Sequence, residues 1–164
     1  MNRLLLPFTQ GVDMQAINFA ISLASNKNAI LAPLSLIRLS STPNPRLEYI
    51  QQSKDFLESV RYKAERAGVP VELIERSTYD TTQCISLLAQ ELACLGILLF
   101  LRQGTGVLLS TSEVKKLLEH KQVSSYLVHL AEKERKFSPL QRLAHRFKDS
   151  KENRDTYYRY TMFT

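Results

Sequence analysis

The stretch FLRQGTGVLLSTSEVKKLL, Phe100–Leu118, runs from an apolar segment through a short glycine loop into a helical pattern. A strand, a glycine loop and a helix N-terminus are the parts from which proteins commonly build a cradle for phosphate. The same parts also make an ordinary tight turn followed by an N-capped helix. What this chain can be expected to bind depends on which of the two it forms.

The alternation of apolar runs and helical patterns extends on both sides of this stretch. Five apolar runs predict strands, namely RLLLPF, AILAPLSLIRL, VPVELIER, GILLFL and VSSYLVHL. Four helical patterns lie between them, namely VDMQAINFAISLAS, RLEYIQQSKDFLESVRYKAERAG, STYDTTQCISLLAQELA and TSEVKKLLEH. The order predicts an α/β fold with a five-stranded, parallel, doubly wound sheet and right-handed crossovers. Ligands of such sheets bind beyond the carboxyl ends of the strands, where PFTQG and FLRQGTG lie.

Composition and cysteine usage indicate a cytoplasmic protein. The longest apolar run, LACLGILLFL, is about half the length that a bilayer span requires, and the apolar part of MNRLLLPF is too short for a signal peptide. Cys84 and Cys94 fall in one helical neighbourhood, about 15 Å apart along a helix and beyond disulfide reach. We expect two reduced core thiols, and the histidine spacing predicts no metal site.

The positive charge of the chain is concentrated at its C-terminus. Residues 133–164 hold nine Lys/Arg and four Asp/Glu, whereas residues 1–132 hold thirteen and twelve. We therefore divide the chain into an α/β domain, residues 1–132, and a basic extension, residues 133–164. A nearly neutral body makes nucleic acid an improbable ligand of the domain.

Within the extension, Ser138 and Pro139 form a favourable helix start. The pattern predicts a basic amphipathic helix over residues 138–149, with Leu140, Leu143 and Phe147 on its apolar face. Two roles stay open for this helix. It packs on its own domain or on a dimer mate, or it docks to an acidic protein, a nucleic acid or an anionic membrane.

Residues 3–130 resemble a universal stress protein domain. LLLPFTQG…AINFAISLA is similar to the first strand and helix of that family, including a proline inside the strand. AERAGVPVEL and GILLFLRQG…SEVKKLLEH…VSSYLVHL follow the family's order and lengths of elements. The resemblance implies the strand order 3-2-1-4-5 and a homodimer paired through the fifth strand, with Val123, Tyr126 and Val128 at the interface.

Family members that bind ATP carry a G-x2-G-x9-G-[S/T] loop after the fourth strand and an Asp at the end of the first. Leu101 takes the first glycine position here, Gly104 the second and Thr111 the third, with Ser112 as the hydroxyl residue. The loop is three residues shorter than the pattern, and Thr9 stands where the Asp should be. The resemblance therefore implies that ATP binding in the family's manner is lost.

Two interpretations of the loop remain. In the first, ATP, another adenine nucleotide or a different anion binds at Thr9, Arg102, Gly104, Gly106, Thr111 and Ser112. In the second, the glycines form a tight turn, and Ser110 or Thr111 is an N-cap. Known catalytic motifs are absent from the sequence. We therefore predict a non-enzymatic, homodimeric regulatory module, with a ligand sensor and an unrecognised nucleotide-dependent enzyme as alternatives.

Overall fold

A computed structural model describes residues 2–41, 46–120, 122–132 and 159–163. The described elements are, in chain order, β1 (Arg3–Phe8), α1 (Met14–Asn26), β2 (Ile30–Arg38), α2 (Leu47–Arg66), β3 (Ile74–Thr78), α3 (Thr81–Glu91), β4 (Gly96–Arg102), β5 (Thr105–Val107), α4 (Thr111–Glu119), β6 (Ser125–His129) and β7 (Arg159–Phe163).

One sheet contains all of these strands, in the order β3-β2-β1-β4-β6-β7, with β5 paired to β4 outside this path. Strands β3, β2, β1, β4 and β6 run parallel to one another, whereas β5 pairs with β4 and β7 pairs with β6 in the antiparallel direction. The predicted α/β class and the strand order are confirmed, β6 being the predicted fifth strand. The described sheet has seven strands, whereas the sequence predicted five. The two strands that were not predicted are β5 and β7.

The helices cover both faces of the sheet. Because side chains alternate along a strand, Leu4 and Leu6 enter the apolar cluster that contains Ile17 of α1 and Phe56 of α2. Leu5 enters the second cluster, which is formed with α3 and α4 and contains, among others, Ile85, Leu88, Val114 and Leu117. This two-layer cover explains why the central strands are continuous apolar runs, as expected for parallel sheets buried on both sides.

Strand β3 begins later than the apolar pattern suggested. Val71 forms only an isolated bridge to Leu31, and the regular ladder starts at Ile74 opposite Leu34. The N–H of Leu31 donates to Pro70 O at 2.9 Å, so Leu31 faces β3. Alternate residues face the same side, and Pro33 therefore turns its missing N–H toward β3. The gap in the ladder lies at this proline.

Part of the basic extension belongs to the sheet, since residues 159–163 form β7 at its edge. The predicted helix 138–149, with Leu140, Leu143 and Phe147, lies outside the described residues. In the described part of the chain, no helix is long and apolar enough to cross a bilayer.

Candidate functional site

The candidate site lies where β1 and β4 separate. These strands pair only at Leu4↔Gly96 and Leu5↔Ile97. Arg3 O accepts a hydrogen bond from Leu95 N–H at 2.7 Å. The backbone N–H and C=O groups of the odd-numbered β1 residues therefore point toward β4. Pro7 therefore faces β4 without an N–H, and the ladder ends before it. This is the switch point at which the sequence predicted a ligand.

The glycine loop is a β-hairpin. Strands β4 and β5 pair through Phe100↔Val107, Leu101↔Gly106 and Arg102↔Thr105. Gln103 and Gly104 form the connection with φ values of 50° and 76°. Two consecutive positive φ values belong to the tight turn that matches the twist of a hairpin. The described geometry of the loop is therefore a tight turn.

Gly106 has a different role from Gly104, because backbone approaches it closely. A Cβ on Gly106 would lie 2.4 Å from Leu109 O and 2.7 Å from Thr111 N. The N–H of Gly106 donates to Thr111 Oγ1 at 2.9 Å. A main-chain donor of the expected phosphate loop is therefore used within the loop, and so is the Thr111 hydroxyl.

The segment after β5 closes the separation between β1 and β4. Leu108 O accepts hydrogen bonds from the N–H groups of Thr9, at 2.9 Å, and Gln10, at 3.1 Å. Leu108 and Leu109 are 2% and 1% exposed, and Leu108 has a φ of 68°. The N–H groups at the end of β1 thus bind to the chain itself, and apolar side chains fill the space beside them.

Glu113 brings the ends of several elements together. Its Oε2 accepts hydrogen bonds from Thr9 Oγ1 at 2.8 Å and from Ser110 N and Oγ at 2.9 and 3.0 Å. Its Oε1 accepts from Thr81 Oγ1 at 2.6 Å and from Arg38 Nη2 at 2.8 Å. Glu113 is 4% exposed. A buried carboxylate therefore sits at the N-terminus of α4 and beside the carboxyl end of β1.

The charge of Glu113 is retained by its hydrogen bonds. Burial by itself would raise the pKa of this carboxyl, but the donors Thr81, Ser110 and Thr9 outweigh it and leave the pKa below its usual value. Ser110 Oγ in turn accepts from Glu113 N–H at 3.2 Å, so the two residues form a capping box. Ser110, rather than Thr111, is the N-cap, and α4 begins with its own anion in place.

Arg102 is also engaged within the chain. Its Nη1 donates to Asp13 Oδ2 at 2.7 Å, its Nη2 to Asp13 Oδ1 at 3.2 Å and to Gln15 Oε1 at 2.7 Å, and its Nε to Ala131 O at 3.0 Å. Asp13 is the N-cap of α1 and accepts from the N–H groups of Gln15 and Ala16. Arg102, which the sequence predicted to bind a ligand, therefore links the end of β4 to the start of α1.

The predicted ligand set divides into three groups. Thr9, Gly106 and Thr111 join the internal network around α4, Arg102 joins Asp13, and Gly104 with the exposed Ser112 lies at the surface. Sequence reasoning missed four polar residues that organise the site, namely Asp13, Arg38, Thr81 and Glu113. The spacing of Ser110 and Glu113 is a capping-box signal that could have identified one of them.

The three residues predicted for a dimer interface lie in or beside the core. Val128 is 0% and Tyr126 3% exposed, and Val123 packs beside the second apolar cluster. The backbone edge of β6 is paired with β7 along Ser125–His129. Among the described residues, no group of three His, Cys, Asp or Glu side chains could hold a metal ion.

Comparisons with known proteins rest on structure, since no family model and no curated protein matches the sequence significantly. A universal stress family protein from Burkholderia pseudomallei is 17% identical, with a TM-score of 0.58 over 75% of this chain and 93% of that one. The universal stress protein of Archaeoglobus fulgidus in complex with dAMP is 13% identical, with a TM-score of 0.58 over 73% and 91%.

An Arabidopsis thaliana universal stress family protein with AMP bound is 12% identical, with a TM-score of 0.52 over 82% of this chain and 94% of that one. These likenesses establish the fold. The chain has the fold of the universal stress proteins, and the resemblance noted in its sequence is confirmed at that level.

Proposed function

We propose that this protein is a non-catalytic regulatory or interaction module with the universal stress protein fold, in which the chain itself closes the family's ATP site. The observation that carries the proposal is the Glu113 carboxylate at the N-terminus of α4. A helix N-terminus attracts anions through its free N–H groups and its dipole. In this chain the Glu113 carboxylate already occupies the N-terminus of α4, where it would interact with these N–H groups and the dipole.

A phosphate at this position would have to displace Glu113 or lie beside it. Displacement breaks charge-assisted hydrogen bonds from Thr9, Thr81 and Ser110, each worth about 1.5–3 kcal/mol. Coexistence places two negative charges about 4 Å apart, a repulsion of roughly 4 kcal/mol at a dielectric constant of about 20, which the charge of Arg38 beside Glu113 offsets only in part. Either route weakens nucleotide binding substantially.

The non-catalytic part of the proposal rests on the same network. A general acid or base needs a pKa near the working pH and access to a substrate. Glu113 has a lowered pKa, lies almost entirely buried and accepts bonds on both oxygens. We expect no turnover of Mg-ATP above background in a phosphate-release assay, and saturable turnover that is lost in Glu113→Gln would refute this part.

The alternative is a sensor for an adenine nucleotide or another anion. Its support is that universal stress proteins of the same fold were solved with dAMP and AMP. Binding of this kind would require the Ser110–Glu113 capping box to open or the phosphate to lie beside the Glu113 carboxylate.

A thermal-shift titration with Mg-ATP, ADP and AMP to millimolar concentration separates the two functions. A ligand at a hundred times its Kd adds about 2.7 kcal/mol to the stability of the folded state, or several degrees in Tm for a domain of this size. We expect no saturable rise, with the Arabidopsis protein and AMP as the positive control. A saturable rise would favour the sensor.

The regulatory role is proposed for a cytoplasmic protein that acts in a stress response through a partner. The two free thiols, Cys84 and Cys94, fit a reducing compartment. The same proposal includes a homodimer that pairs through β6. Because β7 is paired with that edge, the homodimer forms only when β7 leaves it. Co-purification from stressed and unstressed cells, with the full chain as bait, is the direct search for the partner.

A further inference from the structure

The outer edge of β6 is defined by the direction of its backbone groups. Leu130 N–H donates to Leu101 O at 2.8 Å, and Ser124 O accepts from Ile97 N–H at 2.9 Å, so even-numbered residues face β4. Backbone groups of alternate residues point to opposite sides of a strand. The N–H and C=O groups of Ser125, Leu127 and His129 therefore face away from β4.

Strand β7 covers this edge from end to end. The antiparallel register runs from Ser125↔Phe163 through Leu127↔Thr161 to His129↔Arg159. Since Leu127 turns its backbone toward β7, Leu127 and Thr161 form a hydrogen-bonded pair. Thr161 therefore turns its N–H toward β6, and the N–H of Met162 points to the outer side.

The two strands differ in how they are held. Tyr126 and Val128 of β6 are 3% and 0% exposed, and the Tyr126 ring lies against Gly96. In β7, Met162 and Phe163 are 48% and 45% exposed. Burial of side chains fixes β6 in the domain, whereas Met162 and Phe163 of β7 are only about half buried and hold that strand less firmly.

Strands β6 and β7 belong to one chain, so their pairing is intramolecular and does not depend on protein concentration. Pairing of β6 with the β6 of another molecule does depend on it. At micromolar protein concentration, pairing with the β7 of the same chain is therefore favoured.

We propose that β7 is a displaceable edge strand that keeps the chain monomeric, and that its release opens the β6 edge to the same edge of a second copy. The inference rests on the proposed function, because it states the condition under which the proposed homodimer forms. A two-fold axis at Leu127 would oppose Ser125 of one copy to His129 of the other. Two β6 edges then offer each other the donors and acceptors that β7 uses, without opposing two like formal charges.

Two proline variants of the full chain test the proposal. Thr161→Pro removes a donor that faces β6 and should release β7. Met162→Pro, the matched control, removes an N–H on the outer side, where proline is tolerated at a sheet edge. Sedimentation velocity at micromolar concentration reports the oligomeric state. Residue-resolved hydrogen exchange shows whether β7 covers the β6 edge. The amides of Leu127 and His129 face β7, while those of Tyr126 and Val128 face β4 and serve as the internal reference.

We expect the wild type and Met162→Pro to be monomers with protected Leu127 and His129 amides. Thr161→Pro should be a dimer at high protein concentration. At the lowest concentration its Leu127 and His129 amides should lose about tenfold or more in protection, while Tyr126 and Val128 keep theirs.

A wild-type dimer, unprotected Leu127 and His129 amides in the wild type, or protection that survives in Thr161→Pro would overturn the role of β7. A Thr161→Pro protein that stays monomeric or only aggregates would overturn the second copy as occupant. The nucleotide titration is independent of these results, so the closed ATP site of the proposed function fails or stands separately.

Discussion

The guanidinium of Arg102 holds the carboxylate of Asp13 with two hydrogen bonds, one from Nη1 to Oδ2 at 2.7 Å and one from Nη2 to Oδ1 at 3.2 Å. The Asp13 side chain is 5% and the Arg102 side chain 15% exposed. The same carboxylate caps α1. A single ion pair thus joins the hairpin end of β4 to the first helix, at the place where a ligand was expected.

Arg102→Met should lower the free energy of unfolding by about 2–3 kcal/mol. Removing one partner from a buried ion pair costs about 3–5 kcal/mol in fully buried cases, and the slight exposure of Arg102 reduces this. Urea unfolding measures the change. Adding Asp13→Asn should recover part of the loss, because a neutral amide replaces the buried carboxylate that has lost Arg102.

Arg61→Met is the matched control for this experiment. Arg61 pairs with Glu58 across one turn of α2, with both side chains about half exposed or more, and exposed pairs contribute little. We expect its unfolding midpoint to stay close to that of the wild type. Equal losses in Arg61→Met and Arg102→Met would contradict a special role for the Asp13 pair.

Glu113→Gln should destabilise the protein near neutral pH by about 2–4 kcal/mol, since the neutral amide replaces a carboxylate that accepts several charge-assisted bonds. The folded-state pKa of Glu113 lies below its unfolded value. Its stabilising contribution is therefore complete above the ordinary glutamate pKa, about 4.3, and is lost as the pH falls through the lower folded-state pKa.

Urea unfolding of the wild type and Glu113→Gln between pH 7 and pH 3 follows this dependence. The difference between the two proteins should be constant from pH 7 to about pH 5 and shrink below about 4.3. Thr81→Val removes one donor to Glu113 and should move the loss to higher pH. A difference that grows toward low pH would contradict the lowered pKa.

The two loop glycines should respond differently to alanine. Gly104 has a φ of 76° and no atom within 4 Å of an added Cβ, so Gly104→Ala should cost only the left-handed strain, about 1–2 kcal/mol. Gly106→Ala places its Cβ against the backbone of Leu109, Ser110 and Thr111. It should cost about 3 kcal/mol, as overpacking is combined with loss of the α4 cap.

Thermal unfolding of both variants compares these costs directly. Gly104→Asn should fall between the wild type and Gly104→Ala, since asparagine tolerates positive φ. If Gly106→Ala proved as stable as the wild type, the close packing of β5 against the start of α4 would be wrong.

Cys84 and Cys94 should react slowly with iodoacetamide at pH 8. Burial raises the pKa of each thiol above its usual value, outweighing the opposing effect of Arg76 near Cys84 and of Arg3 near Cys94. Only the thiolate is nucleophilic. Mass spectrometry should show alkylation slower than that of glutathione in the native protein and rapid in 6 M guanidinium. Fast native labelling of either thiol would contradict the raised pKa.

Local sequence determined the order of elements in the domain. The apolar run GILLFL predicted β4, and TSEVKKLLEH predicted α4 with a start at Ser110 or Thr111. Each of these signals is carried by neighbouring residues whose spacing reflects the period of a helix or the burial of a strand. The sequence also showed Leu101 at the family's first glycine position and a shortened loop, but neither feature identified the groups around Glu113.

Contacts between distant residues decided the rest. Glu113 meets Thr9 and Thr81 across 104 and 32 positions, Arg102 meets Asp13 across 89, and β7 from the C-terminal extension meets β6. Such pairings leave no period in the sequence, because they depend on where the sheet brings strand ends together. By itself the sequence determined the α/β fold and its helices. The tertiary structure alone decided that a carboxylate of the chain sits where the sequence predicted a ligand and that a strand of the chain covers the sheet edge.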